Sequence, residues 1–323
     1  MEEYIGLDIG GTKCAVLTAK VDSGKPEITF KKRINTKDYS NPYDNINYLC
    51  DCLLEHLKEI NKDIKDFKCA GISCGSPLDS NTGYILSPPN LPGWDEFPVT
   101  KLVYERLGIK AYLQNDANAC AIAEWQFGAG KGYNNVVFLT FGTGFGAGMI
   151  LDGKLYEGTN GNAGEIGHVR LAKNGPVGYN KAGSVEGFCS GGGLRLQGLK
   201  EVEKCRKRNI ETMLDENVDA KSIFECARKG DKTALKIVER CGKKLGESLA
   251  ILIDILNPEA IIIGSIYERN EDLLYKKAWK VIDKEALNHS ANVCKILKAQ
   301  LGDSLGDMAS IAIAYERNKN EIS

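Results

Sequence analysis

Asp8-Ile9-Gly10-Gly11-Thr12-Lys13, directly behind the apolar run Tyr4-Ile5-Gly6-Leu7, is the stretch whose reading decides the fold. A carboxylate at a strand's end, two residues without side chains and a hydroxyl make a tight turn. Its backbone N–H groups can face a polyphosphate while the carboxylate holds a hydrated cation. The same hexapeptide also suits an ordinary hairpin turn. A second stretch shifts the balance. At Val136-Val137-Phe138-Leu139-Thr140-Phe141 another apolar strand runs into Gly142-Thr143-Gly144-Phe145-Gly146-Ala147-Gly148, and Met149-Ile150-Leu151-Asp152-Gly153 reads as its returning partner. The chain repeats itself, so two similar lobes are expected.

Working outward, strands are expected over residues 4–8, 14–20 and 28–33, separated by turn residues. Ile46, Leu49, Leu53, Leu57 and Ile60 recur at helical spacing and predict a helix over 46–60. A short buried strand over 67–73, a helix over 101–107 and a strand over 111–113 follow. Asn115-Asp116 then caps a helix over 116–127. A long helix is expected over 221–256, ended by Asn257-Pro258, then a buried strand over 260–263 closed by Gly264 and a last helix from about 306. Strands alternating with helices indicate α/β architecture with parallel pairing. Two lobes are expected, 1–117 plus the C-terminal helix 306–323, and 118–305. They would close a nucleotide in the cleft between them and hinge near 115–132.

Composition narrows the function classes. At 323 residues the chain is long enough for two cores, and 43% hydrophobic residues supply them. Formal net charge is −1 and the pI about 6.4, which gives no bulk attraction to nucleic acid or an anionic membrane. Small-molecule partners are expected. Eleven cysteines lie scattered, mostly in apolar segments, with no C-x-x-C pair, so they read as small hydrophobes and not as a disulfide framework. An acidic N-terminus entering a strand at once, and no apolar run of bilayer length, lead to a cytoplasmic expectation.

Three motifs carry the chemistry. Gly142-Thr143-Gly144-Phe145-Gly146 superficially satisfies a dinucleotide signature, but that signature requires a helix after the glycines, and a strand follows here. No P-loop pattern occurs. Two glycine hairpins remain, suited to gripping phosphates from opposite sides. Asn115-Asp116-Ala117-Asn118 joins a strand to a helix. Such a pair is ordinarily a plain cap, yet its place between the hairpins makes Asp116 a candidate general base for a substrate hydroxyl attacking phosphorus. Gly164-Glu165-Ile166-Gly167-His168 sets a carboxylate and an imidazole on a glycine-flanked turn that can bind a polyol or be merely structural.

Taken together, Asp8 to Lys13, Asn115 to Asn118, Gly142 to Gly146 and Glu165-x-Gly-His168 resemble the ROK family of sugar kinases and related repressors, over almost the whole chain. The resemblance implies a two-lobed actin-like (ribonuclease H-like) ATPase fold with duplicated hairpin-led α/β lobes around a central cleft. It implies Asp116 as the base for the 6-hydroxyl of a hexose, and Asp8 as the carboxylate positioning Mg²⁺. Gly10, Gly11, Thr12, Lys13, Gly142, Thr143 and Gly144 would contact ATP, with Gly264 opening the adenosine-side loop. Asn90, Asn115, Glu165, His168 and Glu186 match the family's sugar contacts, and Ser76 stands in the loop over the sugar where Pro-Gly is usual. The usual glycine run after Gly264 is replaced by Ser265-Ile266-Tyr267.

Members of the family commonly hold a structural zinc through the motif His and a cysteine cluster. Here Val177, Tyr179 and Ser184 stand where cysteines would, so no bound zinc is expected. The implied enzyme is a glucokinase-like ATP-dependent transferase of carbohydrate metabolism, expected as a homodimer. N-acetylmannosamine, fructose or allose are alternative acceptors. The family's sugar-responsive regulators carry an N-terminal helix-turn-helix extension, whereas this chain reaches Asp8 within eight residues.

Overall fold

The structure, a computed structural model, describes residues 1–322. In chain order the elements are β1 (Glu2–Ile9), β2 (Lys13–Asp22), β3 (Lys25–Asn35), α1 (Pro42–Glu59), β4 (Ala70–Cys74), β5 (Leu78–Asp79), β6 (Tyr84–Ile85), α2 (Val99–Leu107), β7 (Ala111–Asn115) and α3 (Asp116–Phe127). There follow β8 (Val136–Phe141), β9 (Phe145–Leu151), β10 (Lys154–Leu155), β11 (Val177–Gly178), β12 (Lys181–Ala182), α4 (Val185–Cys189), α5 (Gly191–Lys207), α6 (Ala220–Arg228) and α7 (Lys232–Leu256). The chain ends with β13 (Ala260–Ile263), α8 (Ile266–Glu285), α9 (Asn288–Ala291), β14 (Lys295–Lys298) and α10 (Leu305–Ile322).

The fold class is α/β, with two compact units. Unit 1 comprises residues 1–132, 155–163 and those from Asp303 onward; unit 2 comprises 133–154 and 164–302. The division therefore differs from the expected 1–117 and 118–305. Helix α3 stays with unit 1 because it packs along α10, through contacts such as Phe127 against Tyr315. Ser323, at the end of the expected C-terminal piece, lies outside the described residues.

Each unit is built on the same sheet. In unit 1 the order is β3-β2-β1-β4-β7, with β1 antiparallel to β2 and parallel to β4, and β4 parallel to β7. In unit 2 it is β10-β9-β8-β13-β14, with β8 antiparallel to β9 and parallel to β13, and β13 parallel to β14. The repeat inferred from the glycine turns is thus a repeat of topology.

Alternation along β1 explains where its functional carboxylate goes. Ile5, Leu7 and Ile9 join the core formed with Ile46, Leu49 and Leu53 of α1. Tyr4 joins the other face, with Ile311 and Ala314 of α10. A two-residue period then sets Gly6 and Asp8 on the α10 side. There the helix runs so close that a Cβ on Gly71 of β4 would lie 2.0 Å from the Ser310 carbonyl oxygen. Glycine in the strand permits that approach.

In unit 2 the helix expected over 221–256 is two helices. Gly230, at φ +88°, breaks the run, and the Asp231 carboxylate caps α7 by accepting from the Ala234 N–H at 2.7 Å. Strand β9 starts at Phe145, inside the glycine-rich stretch and not after it. Helices α5 and α8 and strand β14 add to the expected elements. Helix α5 opens on three glycines, and β14 is four residues with charged ends, so neither carries a clear period.

Candidate active site

In unit 1 the β1–β2 turn is tied by its edges and open at its tip. The Gly10 N–H donates to the Lys13 carbonyl at 3.0 Å, and the Thr36 hydroxyl donates to the Gly10 carbonyl at 2.6 Å. The N–H groups of Gly11 and Thr12 donate to nothing among the described residues. Two adjacent unspent donors on a turn are a fitting cradle for phosphate oxygens. Lys13 begins β2, exposed.

Two further loops meet this turn. A Cβ on Gly11 would lie 2.3 Å from the carbonyl oxygen of Asn90, and one on Gly75 would lie 3.5 Å from the Asn90 amide nitrogen. The expected sugar residue Asn90, the Gly75-Ser76 loop and the β1–β2 turn are therefore neighbours. Asn90 and Ser76 are both exposed.

Asp8, partly buried, accepts no hydrogen bond among the described residues. Desolvation, and then the Asp307 carboxylate, push its pKa up to about 6, against the opposing pull of Arg33 and Lys31. Asp307 is buried at the start of α10 and paired with Lys31. The sequence reading missed this second carboxylate. The signal was Gly306-Asp307 at the opening of the last helix, in the register that faces β1. A crowded carboxylate without a hydrogen-bond donor suits a cation, so Asp8 fits the Mg²⁺ role.

Asp116 opens α3, and its neighbour Asn115 is the cap, accepting from the Asn118 N–H at 2.8 Å. The plain capping role thus belongs to Asn115, leaving the Asp116 side chain outside the cap. It is open to solvent, yet dense protein surrounds it, and this desolvation raises its pKa above the usual carboxylate range; the Ala117 N–H, donating at 2.8 Å, pulls the other way.

In unit 2 the β8–β9 turn is held from below. The N–H groups of Gly191 and Gly192, at the start of α5, donate to the carbonyls of Gly142 and Thr143 at 2.7 and 3.1 Å. Here too the N–H groups of Thr143 and Gly144 donate to nothing among the described residues. Glu186 of α4 lies under this turn, accepting from the Phe145 N–H at 3.1 Å. Gly264 is buried after β13, and Ser265 comes within 3.9 Å of where a Gly142 Cβ would be.

The Glu165–His168 turn packs on β9: the Ala147 N–H donates to the Gly164 carbonyl at 2.9 Å, and a Cβ on Gly167 would meet the Phe145 carbonyl at 1.9 Å. Glu165 and His168 are exposed. Tyr179, one of the residues in place of a cysteine, sets its ring edge-on to His168 with centroids 6.2 Å apart. It sits in the turn of the β11–β12 hairpin, whose Lys181 reaches the His168 carbonyl at 2.9 Å. Ser184 caps α4. Among the described residues no three His, Cys, Asp or Glu side chains form a group able to hold a metal ion.

All the expected residues of unit 1 therefore surround the β1–β2 turn and the β7–α3 junction, and those of unit 2 surround the β8–β9 turn. A match to the ROK family covers residues 4–317. The chain belongs to the ROK family. It is 31% identical to the glucokinase of Thermotoga maritima, over 98% of both chains, and 31% identical to the N-acetyl-D-glucosamine kinase of Histophilus somni, over 98% of this chain and 100% of that one. Among solved structures it is similar to the ROK glucokinase of Streptomyces griseus in complex with glucose and AMPPNP, with 27% identity, a TM-score of 0.73, and coverage of 97% and 99%. This ROK chain shares the actin-like fold of those structures.

Proposed function

We propose that this ROK protein is an ATP-dependent hexose kinase, glucokinase-like, converting ATP and a hexose to ADP and the hexose 6-phosphate. The observation that carries the reading is Asp116, which stands solvent-open beside its own helix cap in the same unit as the unpartnered Asp8. As general base Asp116 takes the proton of the 6-hydroxyl while that oxygen bonds to the γ-phosphorus and the bond to ADP breaks. Mg²⁺, when bound with the nucleotide, supplies neutralisation of phosphate charge. Asp8 holds its place. The free N–H groups of Gly11, Thr12, Thr143 and Gly144 hold phosphate oxygens; Lys13 and Gly10 complete the first turn, Gly142 the second, and Gly264 admits the adenosine side. Asn90, Asn115, Ser76, Glu165, His168 and Glu186 bind the sugar.

An N-acetylhexosamine acceptor is the second reading, supported by the Histophilus relative and by the hydroxyl of Ser76 in the loop beside Asn90. We also read the protein as a zinc-free homodimer of the cytoplasm. Eleven unpaired thiols suit a reducing compartment; Val177 cannot ligate zinc, and Ser184, already capping α4, is a poor substitute for a thiolate.

Replacing Asp116 by Ala should lower kcat about 10²–10⁴-fold with hexose affinity retained. In the unaltered enzyme, activity should fall as pH drops and Asp116 takes up its proton, at a pH above the usual carboxylate range. A coupled assay of MgATP with glucose and N-acetylhexosamines measures both. Near-normal turnover by the Asp116→Ala protein would sink the assignment.

A further inference from the structure

The short segment 155–163 belongs to unit 1, although Lys154 before it and Gly164 after it belong to unit 2. One side chain fastens it. Glu157, half-buried, accepts from the Ser80 hydroxyl at 2.8 Å and from the Gln114 side-chain amide at 2.9 Å through the same oxygen; its second oxygen lies 3.9 Å from Arg317 of α10. Three parts of unit 1, the β5–β6 turn, β7 and α10, thus converge on a single carboxylate.

Gln114 carries the contact inward. It is 2% exposed, and its oxygen accepts from the Asn115 N–H at 2.8 Å and from the Asn118 side-chain amide at 3.1 Å. The Asn118 N–H in turn donates to the Asn115 side chain. Asn115 and Asn118 bracket Asp116. The run from Glu157 through Gln114 therefore ends in a closed ring of hydrogen bonds around the residue on which Asp116 is mounted.

The direction of the Gln114 amide is what this ring depends on. A glutamine can present either its oxygen or its nitrogen to a given neighbour. An ionised carboxylate only accepts and the Asn115 N–H only donates, so the two together set the Gln114 nitrogen toward Glu157 and its oxygen onto Asn115 and Asn118. A buried Gln turned the other way would set donors against donors at the junction, the costly arrangement for polar groups of such low exposure.

We propose that Glu157 is a positioning residue for phosphoryl transfer: acting through Gln114, it fixes the β7–α3 junction that carries Asp116. The proposal rests on the reading of Asp116 as the base. It makes Glu157 part of the reaction machinery without contact to any reacting atom. The same carboxylate lies eight residues ahead of Glu165, so the chain that leaves it runs directly into the sugar-binding turn.

The test is a polarity swap across the Glu157–Gln114 contact, with MgATP and glucose as substrates and thermal unfolding recorded for each variant. Glu157→Ala should lower kcat about tenfold or more while changing KM for either substrate less than about threefold, the size of effect that removal of a supporting hydrogen bond produces. Glu157→Gln, which still offers an accepting oxygen, should retain most of kcat. Gln114→Glu sets two carboxylates against each other and should lose as much as Glu157→Ala. The double variant Gln114→Glu with Glu157→Gln restores one donor facing one acceptor and should recover most of that loss. No recovery in the double variant, or a wild-type kcat in Glu157→Ala, overturns the proposal. Amide hydrogen exchange across residues 112–120 reads the junction independently of turnover. It should quicken in Glu157→Ala and return in Glu157→Gln, and unchanged exchange overturns the proposal even if the hexose-kinase reading itself fails for want of activity.

Discussion

The two glycine-turned hairpins are one device used twice, and the position two residues before each turn shows where they part. Asp8 precedes Gly10 as Thr140 precedes Gly142, on strands of matching rank in matching sheets. Among the described residues, both turns leave two consecutive N–H groups unspent. Thr140 is consumed by its own hairpin: its hydroxyl accepts from the Gly146 N–H at 2.9 Å and lies 3.3 Å from the Gly146 carbonyl. Asp8 accepts from no such donor among the described residues and is crowded by a second carboxylate. A strand end that satisfies its polar group internally is spent on structure, and one whose charge is crowded by a second carboxylate and accepts no hydrogen bond suits a ligand of opposite charge. If both turns grip phosphate as proposed, the repeat separates that shared role from a proposed cation-holding role confined to the first.

The largest effect that can break this comparison is on turnover. Asp8→Asn should reduce kcat by about 100-fold or more, because neutralising charge on the transferred phosphate is worth several kcal/mol. Thr140→Val should stay within about threefold of the parent. A comparable loss in both, measured in the same coupled assay, would erase the division of labour. The turns themselves differ next. Alanine at Gly11 must displace the Asn90 backbone, 2.3 Å from the new Cβ, whereas alanine at Gly144 meets only the end of the Glu186 side chain at 3.0 Å. Gly11→Ala should therefore cost at least about tenfold more in kcat/KM than Gly144→Ala. Equal losses would mean that the second turn is as tightly enclosed as the first.

A smaller effect falls on stability. The folded-state pKa of Asp8 is raised to about 6, so the fold binds its proton more tightly than the unfolded chain does. Its contribution is favourable below the ordinary carboxylate pKa of about 4 and is lost as pH rises through about 6, above which the ionised form costs on the order of 3 kcal/mol. Asp8→Asn should then raise the melting temperature of the free protein at pH 8 and leave it nearly unchanged at pH 4. A constant difference across that range would show that Asp8 is not strained when ionised.

How far the sequence carries is visible in the same elements. The repeat, the strand–turn pairs and the placing of Asn115-Asp116 at a strand-to-helix junction follow from periodicity and glycine, which act over a few residues. Asp307 did not emerge because its meaning lies in the return of α10 to β1, some 300 residues away in sequence. Gln114 and Glu157 were invisible for the same reason, since a polar residue at the end of a strand and another in a loop become partners only once 155–163 is folded onto unit 1. The unit boundary also depended on tertiary packing, because the sequence of α3 does not say that its neighbour is α10. The edge-on contact of Tyr179 with His168 likewise needed the hairpin turn that carries Tyr179.

The finest test of the comparison is Thr140→Val by itself. The two side chains have nearly the same shape, so the substitution leaves the packing of β8 intact and removes only the hydroxyl. That hydroxyl is the acceptor of the Gly146 N–H, and its loss leaves a partly buried donor facing a methyl group. The cost should be about 1–2 kcal/mol, independent of pH between 4 and 8, with phosphate affinity unaltered because the free N–H groups belong to Thr143 and Gly144. Denaturant unfolding gives the first quantity and KM for ATP the second. A rise in KM with no loss of stability would reverse the assignment, making the Thr140 hydroxyl a ligand group like the carboxylate it replaces and the two strand ends equivalent after all.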